Sequence, residues 1–62
     1  MTVGENIRSL RMQKNLTLEA MAKKIGISKQ TVHKYESGVI KTIHAQKLIL
    51  IAEVLETTPP EL

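Results

Sequence analysis

A chain of 62 residues is long enough for only one domain. Its core must be compact, because a chain of this length buries only about 60 % of the surface that its unfolded form exposes. The absence of cysteine excludes disulfides and thiolate-bound zinc, and 42 % apolar against 24 % charged residues is typical of a globular domain rather than of a disordered segment. The net charge of +3 favours a polyanionic partner without establishing one.

The first predicted helix covers residues 3–14. Thr2 and Glu5 have the spacing of a capping box, in which the threonine hydroxyl accepts the third amide of the helix and the glutamate reaches back to the cap amide. The apolar pattern that follows has helical spacing and ends near Asn15. Asparagine tolerates the left-handed conformation found after a helix C-terminus, so we expect the helix to end there.

A second, short helix is predicted over residues 18–25, with Thr17 as its N-cap and Gly26 just after its last turn. Four apolar residues recur at the spacing of one helical face: Leu18, Met21, Ala22 and Ile25. Only Gly26 and Ile27 then precede Ser28, which is the next N-cap candidate. The following helix must therefore leave at a steep angle while Ile27 fills the corner, which is the geometry of a helix-turn-helix.

The third predicted helix covers residues 29–37 and is closed by Gly38. On a helical wheel Thr31, Val32 and Tyr35 point toward the core. Four polar or basic residues point the opposite way and form what we call the outer face of this helix: Lys29, Gln30, His33 and Lys34.

A fourth helix is predicted over residues 45–55, after a linker of β-branched residues that lacks a helical period. Its apolar face has the expected spacing: Leu48, Ile51, Ala52 and Leu55. These elements make an all-α fold, a compact bundle of four to five short helices that forms one domain over residues 1–62.

Thr58 and Glu61 again have capping-box spacing, with Pro59 at the first helical position, so a fifth helix is predicted to begin at residue 59. A helix that starts so close to Leu62 indicates a longer natural protein. We therefore expect this chain to be its N-terminal domain.

Several function classes lack support in the sequence. The longest apolar run, residues 48–52, is far short of the ~20 residues that cross a bilayer, and residues 1–5 do not resemble a secretory signal. With the missing cysteines this predicts a cytoplasmic protein without a membrane partner. No catalytic motif is present, so we expect neither an enzyme nor a cofactor or metal site.

The outer face of the third helix has the chemistry of a DNA-reading surface. Lys29 and Lys34 can donate to the N7 and O6 atoms of guanine, Gln30 can pair with adenine, and His33 can add a donor to a base or a phosphate. The competing interpretation is an ordinary solvated face, which is the commoner case for an arbitrary helix. The two-residue turn before this helix favours the DNA-reading interpretation.

The chain resembles the Cro and phage-repressor family of helix-turn-helix regulators over nearly its whole length. The resemblance rests on residues that keep the family's spacing: Ile7, Leu10, Arg11, Leu16, Thr17, Met21, Ala22, Ile25, Gly26, Ile27, Ser28, Thr31, Val32, Tyr35, Glu36, Gly38, Ile51, Ala52 and Leu55. The linker over residues 38–43 is similar to that of LexA-like repressors, which carry a self-cleaving peptidase domain after the DNA-binding one. The resemblance implies a lambda-repressor-like domain that binds double-stranded DNA and represses transcription.

Roles of individual residues follow from the resemblance position by position. It implies base reading by Lys29, Gln30 and Lys34, with His33 beside them. It implies phosphate contacts for Thr17, Ser37 and Lys41, and Ser28 joins this group as the cap of the third helix.

Arg11 and Glu36 match a pair that ties the first helix to the end of the third. A half-buried carboxylate needs such a donor, whereas the alternative is two unrelated solvated charges. The resemblance and this argument together favour the pair.

The sequence departs from the family pattern at three places. Leu18 stands where the family often has a glutamine that touches phosphate, which puts that contact in doubt. Glu56 stands where a glycine is common, so the fourth helix is expected to lack a relaxed left-handed cap or to end elsewhere. Ile49 and Leu50 replace charged residues.

Two interpretations of Ile49 and Leu50 stay open. They are either scattered apolar surface residues or a partner surface, for a second copy or for a C-terminal domain. A homodimer would suit DNA binding, since two-fold symmetric dimers present two reading helices about 34–36 Å apart to a two-fold symmetric operator.

The alternative function is a protein-interaction module, such as a coactivator-like or antitoxin-type adaptor, that uses the same fold without reading DNA. The basic outer face of the third helix argues against this alternative, because a solvated adaptor helix does not need it.

Overall fold

The computed structural model describes residues 2–62, which form four α-helices and one 3₁₀ turn. The helices are Val3–Gln13 (α1), Leu18–Ile25 (α2), Lys29–Ser37 (α3) and Ala45–Val54 (α4), and the turn is Pro59–Glu61. No strand occurs in residues 2–62, so the predicted all-α class is confirmed. The helix bounds differ from the expected ones by at most one residue, since Lys14 and Leu55 are C-caps rather than helical residues.

Side-chain oxygens cap the first three helices as expected. In α1, Thr2 Oγ1 accepts from the Glu5 amide at 3.2 Å while the Thr2 amide donates to Glu5 Oε1 at 3.1 Å, which completes the capping box. Thr17 Oγ1 accepts from the Ala20 amide at 3.0 Å at the start of α2. The Ser28 hydroxyl does the same for the third amide of α3 at 3.1 Å. These local bonds satisfy amides that have no partner within their helices.

Left-handed residues follow the ends of all four helices: Asn15 (φ 57°), Gly26 (φ 83°), Gly38 (φ 82°) and Glu56 (φ 55°). Glu56 therefore adopts the left-handed conformation although it is not glycine, so α4 ends within one residue of the expected place with a left-handed cap that is strained rather than relaxed. The amide of Thr57 donates to the Ala52 carbonyl at 2.9 Å, so the end of α4 is a regular hydrogen-bonded cap.

The expected capping box at Thr58 is wrong. The side chain of Thr58 makes no cap hydrogen bond, and the segment is a 3₁₀ turn rather than the start of an α-helix. The Glu61 amide donates at 2.9 Å to the Thr58 carbonyl oxygen, which is the bond of a 3₁₀ turn. Pro59 and Pro60 have no amide hydrogen that the Thr58 hydroxyl could accept.

One hydrophobic core lies among the helices. Its fully buried large side chains come from all four of them and from the residue after α4: Ile7, Met21, Val32, Ile51 and Leu55. At Gly4 a side chain would collide with the backbone carbonyl oxygen of Tyr35, so α1 and the last turn of α3 are in backbone contact. No helix within residues 2–62 combines the length and apolarity needed to cross a membrane.

Candidate nucleic-acid interface

The short turn between α2 and α3, which consists of Gly26 and Ile27 before the cap residue Ser28, sets the direction of α3. Gly26 takes the left-handed conformation and Ile27 is half-buried against the core, so the chain changes direction at once. Ser28 then caps α3. One side of α3 therefore faces the core through Val32 and Glu36, which are both buried.

The outer face of α3 is solvent-exposed along its length, since Lys29, Gln30, His33 and Lys34 are all exposed. The four side chains border a shallow depression of about 350 Å³ that Leu18 closes on the α2 side. Neither lysine is in an ion pair with any of residues 2–62. The face therefore combines unneutralised cations with an amide and an imidazole, which can donate hydrogen bonds to an electronegative surface.

The residues expected at phosphates are also exposed: Thr17, Ser28, Ser37 and Lys41. The Thr17 and Ser28 hydroxyls already accept backbone amides, and Ser28 Oγ lies 2.8 Å from Thr31 Oγ1. The first two amides of α2 and of α3 have no partner within their helices, so each helix start can donate to an anion. All four positions are therefore accessible from solvent.

Arg11 and Glu36 form a bidentate ion pair between α1 and α3. Arg11 Nε donates to Glu36 Oε2 at 2.7 Å and Nη2 donates to Oε1 at 3.1 Å. The remaining nitrogen, Nη1, donates to the Leu16 carbonyl oxygen at 2.6 Å. Only 12 % of the arginine side chain and 4 % of the glutamate side chain are exposed. The pair therefore fixes α3 against α1 and against the loop before α2.

Arg8 belongs to this region although the sequence analysis did not select it. Its side chain is exposed and lines a cleft with Arg11, Leu18, His33, Glu36 and Ser37. Arg8 and Arg11 are three residues apart and so share one side of α1. This spacing could have identified Arg8 from the sequence, once Arg11 had been paired with Glu36 of α3.

Ile49 and Leu50 are exposed on α4, by 48 % and 38 % respectively. The neighbouring Ile51 is completely buried. The two residues therefore lie on the side of α4 that faces away from the core, together with the exposed Gln46 and Glu53.

Comparisons with known proteins agree with this geometry. The profile of the helix-turn-helix family matches residues 7–62. A protein of Methanocella arvoryzae whose name describes an HTH-type transcriptional regulatory protein is 43 % identical over 53 residues, which are 86 % of this chain and 16 % of that protein. An uncharacterized HTH-type transcriptional regulator of Rickettsia prowazekii is 39 % identical over 54 residues, which are 87 % of this chain and 41 % of that protein. The chain thus spans less than half the length of these relatives.

Among solved structures, the chain is similar to SinR, a master regulator for biofilm formation that was crystallised in complex with DNA. The TM-score is 0.89 and the sequences are 24 % identical, over 95 % of this chain and 94 % of that one. At this identity the likeness shows a shared fold.

Proposed function

We propose that this chain, which belongs to the helix-turn-helix family, binds double-stranded DNA in a sequence-specific way and thereby regulates transcription. The observation that carries the proposal is the exposed outer face of α3, with Lys29, Gln30, His33 and Lys34 held out by the turn at Gly26. Relatives named as transcriptional regulators and a solved neighbour bound to DNA support it. The family and fold are those of DNA-binding transcription regulators rather than of enzymes.

In the proposed complex α3 lies in the major groove, where each base pair presents a distinct pattern of donors and acceptors. Lys29 and Lys34 donate to guanine N7 and O6, Gln30 pairs with adenine N6 and N7, and His33 contributes a further donor. Each good base contact discriminates against the wrong base by about 1–3 kcal/mol. Thr17, Ser28, Ser37 and Lys41 hold phosphates and set the register of α3, while the Arg11–Glu36 pair keeps α3 in place.

Selection from a random pool of duplexes tests the proposal, because it measures binding, base preference and symmetry together. We expect Gln30→Ala to relax the preference at one base pair, since Gln30 reads a base. Lys41→Ala is the matched comparison and should weaken binding to all sequences alike and reduce the dependence on salt. Equal, sequence-independent losses in both variants would show that the reading face is misassigned.

Titration with duplex DNA at increasing salt distinguishes this function from that of a protein-interaction adaptor on the same fold, which would not bind the duplex. DNA binding must weaken steeply as salt rises, because protein cations displace counterions from phosphates. No association of the wild-type chain with duplex DNA in dilute salt would refute the proposed function.

We further propose that the chain acts as a homodimer on a two-fold symmetric operator, through the exposed side of α4. In this dimer two copies of α4 lie antiparallel, and the two-fold axis passes between Ile49 and Leu50. Ile49 of one copy then contacts Leu50 of the other, and Gln46 of one copy contacts Glu53 of the other. This gives apolar contacts at the centre and an amide–carboxylate hydrogen bond on either side. A contact limited to one helix is smaller than the roughly 1,000 Å² of a stable interface, so the dimer should form on DNA rather than free.

Sedimentation with and without a selected duplex tests this dimer. We expect a monomer in the absence of DNA and two chains on one symmetric duplex, with Leu50→Lys lowering the cooperativity of binding. A wild-type chain that binds such a duplex only as a monomer would contradict it. Because a bound dimer blocks the groove to other proteins, we expect repression of a reporter controlled by that duplex.

A further inference from the structure

A small cleft lies beside the outer face of α3, where α1, the start of α2 and the second half of α3 meet. It measures about 240 Å³ and is lined by Arg8, Arg11, Leu18, His33, Glu36 and Ser37. Leu18 and His33 also border the depression of the outer face, so the two concavities adjoin. Any ligand that covers the outer face of α3 must also approach this cleft.

The cleft carries an uncompensated positive charge. The carboxylate of Glu36 is engaged through both oxygens by Arg11, which neutralises it. Arg8 takes part in no ion pair or side-chain hydrogen bond with residues 2–62, and its side chain is exposed. The guanidinium of Arg8 therefore has all of its donors available for an anion at the mouth of the cleft.

A hydroxyl donor lies in the same cleft. The Ser37 hydroxyl makes one long contact of 3.4 Å, to the Lys34 carbonyl oxygen. A contact of that length is at the weak limit for an O–H donor, so the hydroxyl can turn to an incoming oxygen at little cost. The cleft thus combines a free guanidinium and a free hydroxyl, and the guanidinium fork matches the oxygens of a phosphate.

We propose that Arg8 is the charged ligand of a backbone phosphate of the DNA in this cleft, beside Ser37, which the proposed function already assigns to a phosphate. The inference rests on the proposed function, since it assumes α3 in the major groove. That groove is about 12 Å wide and a helix with its side chains about 10–12 Å across, so phosphates flank the helix closely on both sides. A cationic cleft beside the outer face of α3 lies where such a phosphate passes.

The test measures the affinity of Arg8→Ala for two duplexes, one recovered from the random pool and one of unrelated sequence, between about 50 and 200 mM salt. Loss of one phosphate contact should reduce the slope of log affinity against log salt by about 0.9. Affinity should fall roughly three- to fivefold for both duplexes, as for one exposed ion pair. Arg8→Lys should keep the slope, because it keeps the charge.

Lys24→Ala is the matched control, because it removes the same charge from an exposed position on α2. Lys24 borders a different surface depression, with Asn15 and Glu56. We expect this variant to keep the slope and the affinity of the wild type. An equal loss in Lys24→Ala would mean that overall charge explains the effect and would overturn the proposal. Thermal melting checks that both variants fold, as expected for exposed side chains without partners.

The outcomes separate this proposal from the one on which it rests. If the wild-type chain binds neither duplex, the proposed function fails. If it binds and Arg8→Ala has the wild-type slope, the phosphate cleft is wrong while DNA binding stands. A changed base preference in Arg8→Ala would also overturn the proposal, because it would assign Arg8 to a base.

Discussion

Arg11 links α1 to α3 through its ion pair with Glu36. Its guanidinium uses three nitrogens, two on Glu36 and one on the Leu16 carbonyl oxygen. Glu36 is almost fully buried, and a buried carboxylate without a partner is strongly disfavoured. The pair thus supplies the buried carboxylate of Glu36 with the hydrogen-bond donors that it needs.

Arg11→Ala should lower the free energy of unfolding by roughly 3 kcal/mol, since it leaves Glu36 buried without its donor. Urea denaturation followed by circular dichroism measures this change. Arg8→Ala serves as the control, and we expect it to change stability by less than about 0.5 kcal/mol because its side chain is exposed and unpaired. Similar values for the two variants would contradict a structural role of the pair.

The carboxyl group of Glu5, at the start of α1, has a lowered pKa. Hydrogen bonds from the amide and the hydroxyl of Thr2 hold the pKa of the Glu5 carboxyl below its ordinary value. A pKa lower in the folded than in the unfolded state means that the carboxylate stabilises the fold above the unfolded pKa. This contribution is lost as the pH falls through the folded pKa.

An NMR titration of the Glu5 carboxyl carbon should therefore give a pKa below the ordinary value for glutamate. Thr2→Val should bring the pKa of Glu5 back toward that value, because it removes the hydroxyl donor and keeps the side chain at similar size. An unchanged titration in Thr2→Val would assign the shift to the amide donor alone.

At the scale of the element, the end of α4 combines a favourable hydrogen bond with an unfavourable backbone conformation. The cap bond from Thr57 to Ala52 requires Glu56 at φ 55°, where residues other than glycine are strained. Glu56 offsets part of this strain through an ion pair with Lys14, at 3.1 Å. Since 78 % of the glutamate side chain is exposed, that pair is a weak one.

Glu56→Gly should raise the free energy of unfolding by about 0.5 kcal/mol, because relief of roughly 1 kcal/mol of strain exceeds the loss of an exposed ion pair. Glu56→Ala is the matched control: it removes the ion pair but keeps the strain, so we expect a slight loss of stability. Thermal melts of the three proteins measure both effects. Greater stability of the alanine variant than of the glycine variant would contradict the account.

At the scale of the whole molecule, the core is small and its last member comes from the far end of the sequence. Leu62 is buried with 8 % of its surface exposed, although it follows a 3₁₀ turn of three residues. The side-chain nitrogen of Asn6, Nδ2, donates to the Leu62 carbonyl oxygen at 2.7 Å and so joins α1 to this segment. A domain of this size has a total stability of only several kcal/mol, so one core side chain is a substantial part.

Leu62→Ala should lower the free energy of unfolding by about 2 kcal/mol, as for a core leucine. Leu50→Ala makes the same chemical change on the exposed side of α4, and we expect a loss below about 0.5 kcal/mol. Urea denaturation of both variants measures the difference. Equal losses would place Leu62 outside the core or Leu50 within it.

The sequence alone determined the helices and the direction in which the outer face of α3 points. The reason is that these features are local: Thr2, Thr17 and Ser28 cap amides three residues ahead, and Gly26 permits the turn. The exposure of Lys34 then follows from helical periodicity once Val32 lies in the core. The nucleic-acid interface on the outer face of α3 could thus be predicted from the sequence alone.

Only the tertiary structure decided which distant residues meet. It placed Arg8 in one cleft with His33 and Ser37, and it buried Leu62 with its carbonyl oxygen bonded to the side chain of Asn6 in α1. Neither contact has a sequence period, because each depends on how closely separate elements approach. The bond from the Glu61 amide to the Thr58 carbonyl is local, but the spacing of Thr58 and Glu61 suits a capping box equally well. Packing between elements sets that distance, whereas local propensity sets only where each element begins and ends.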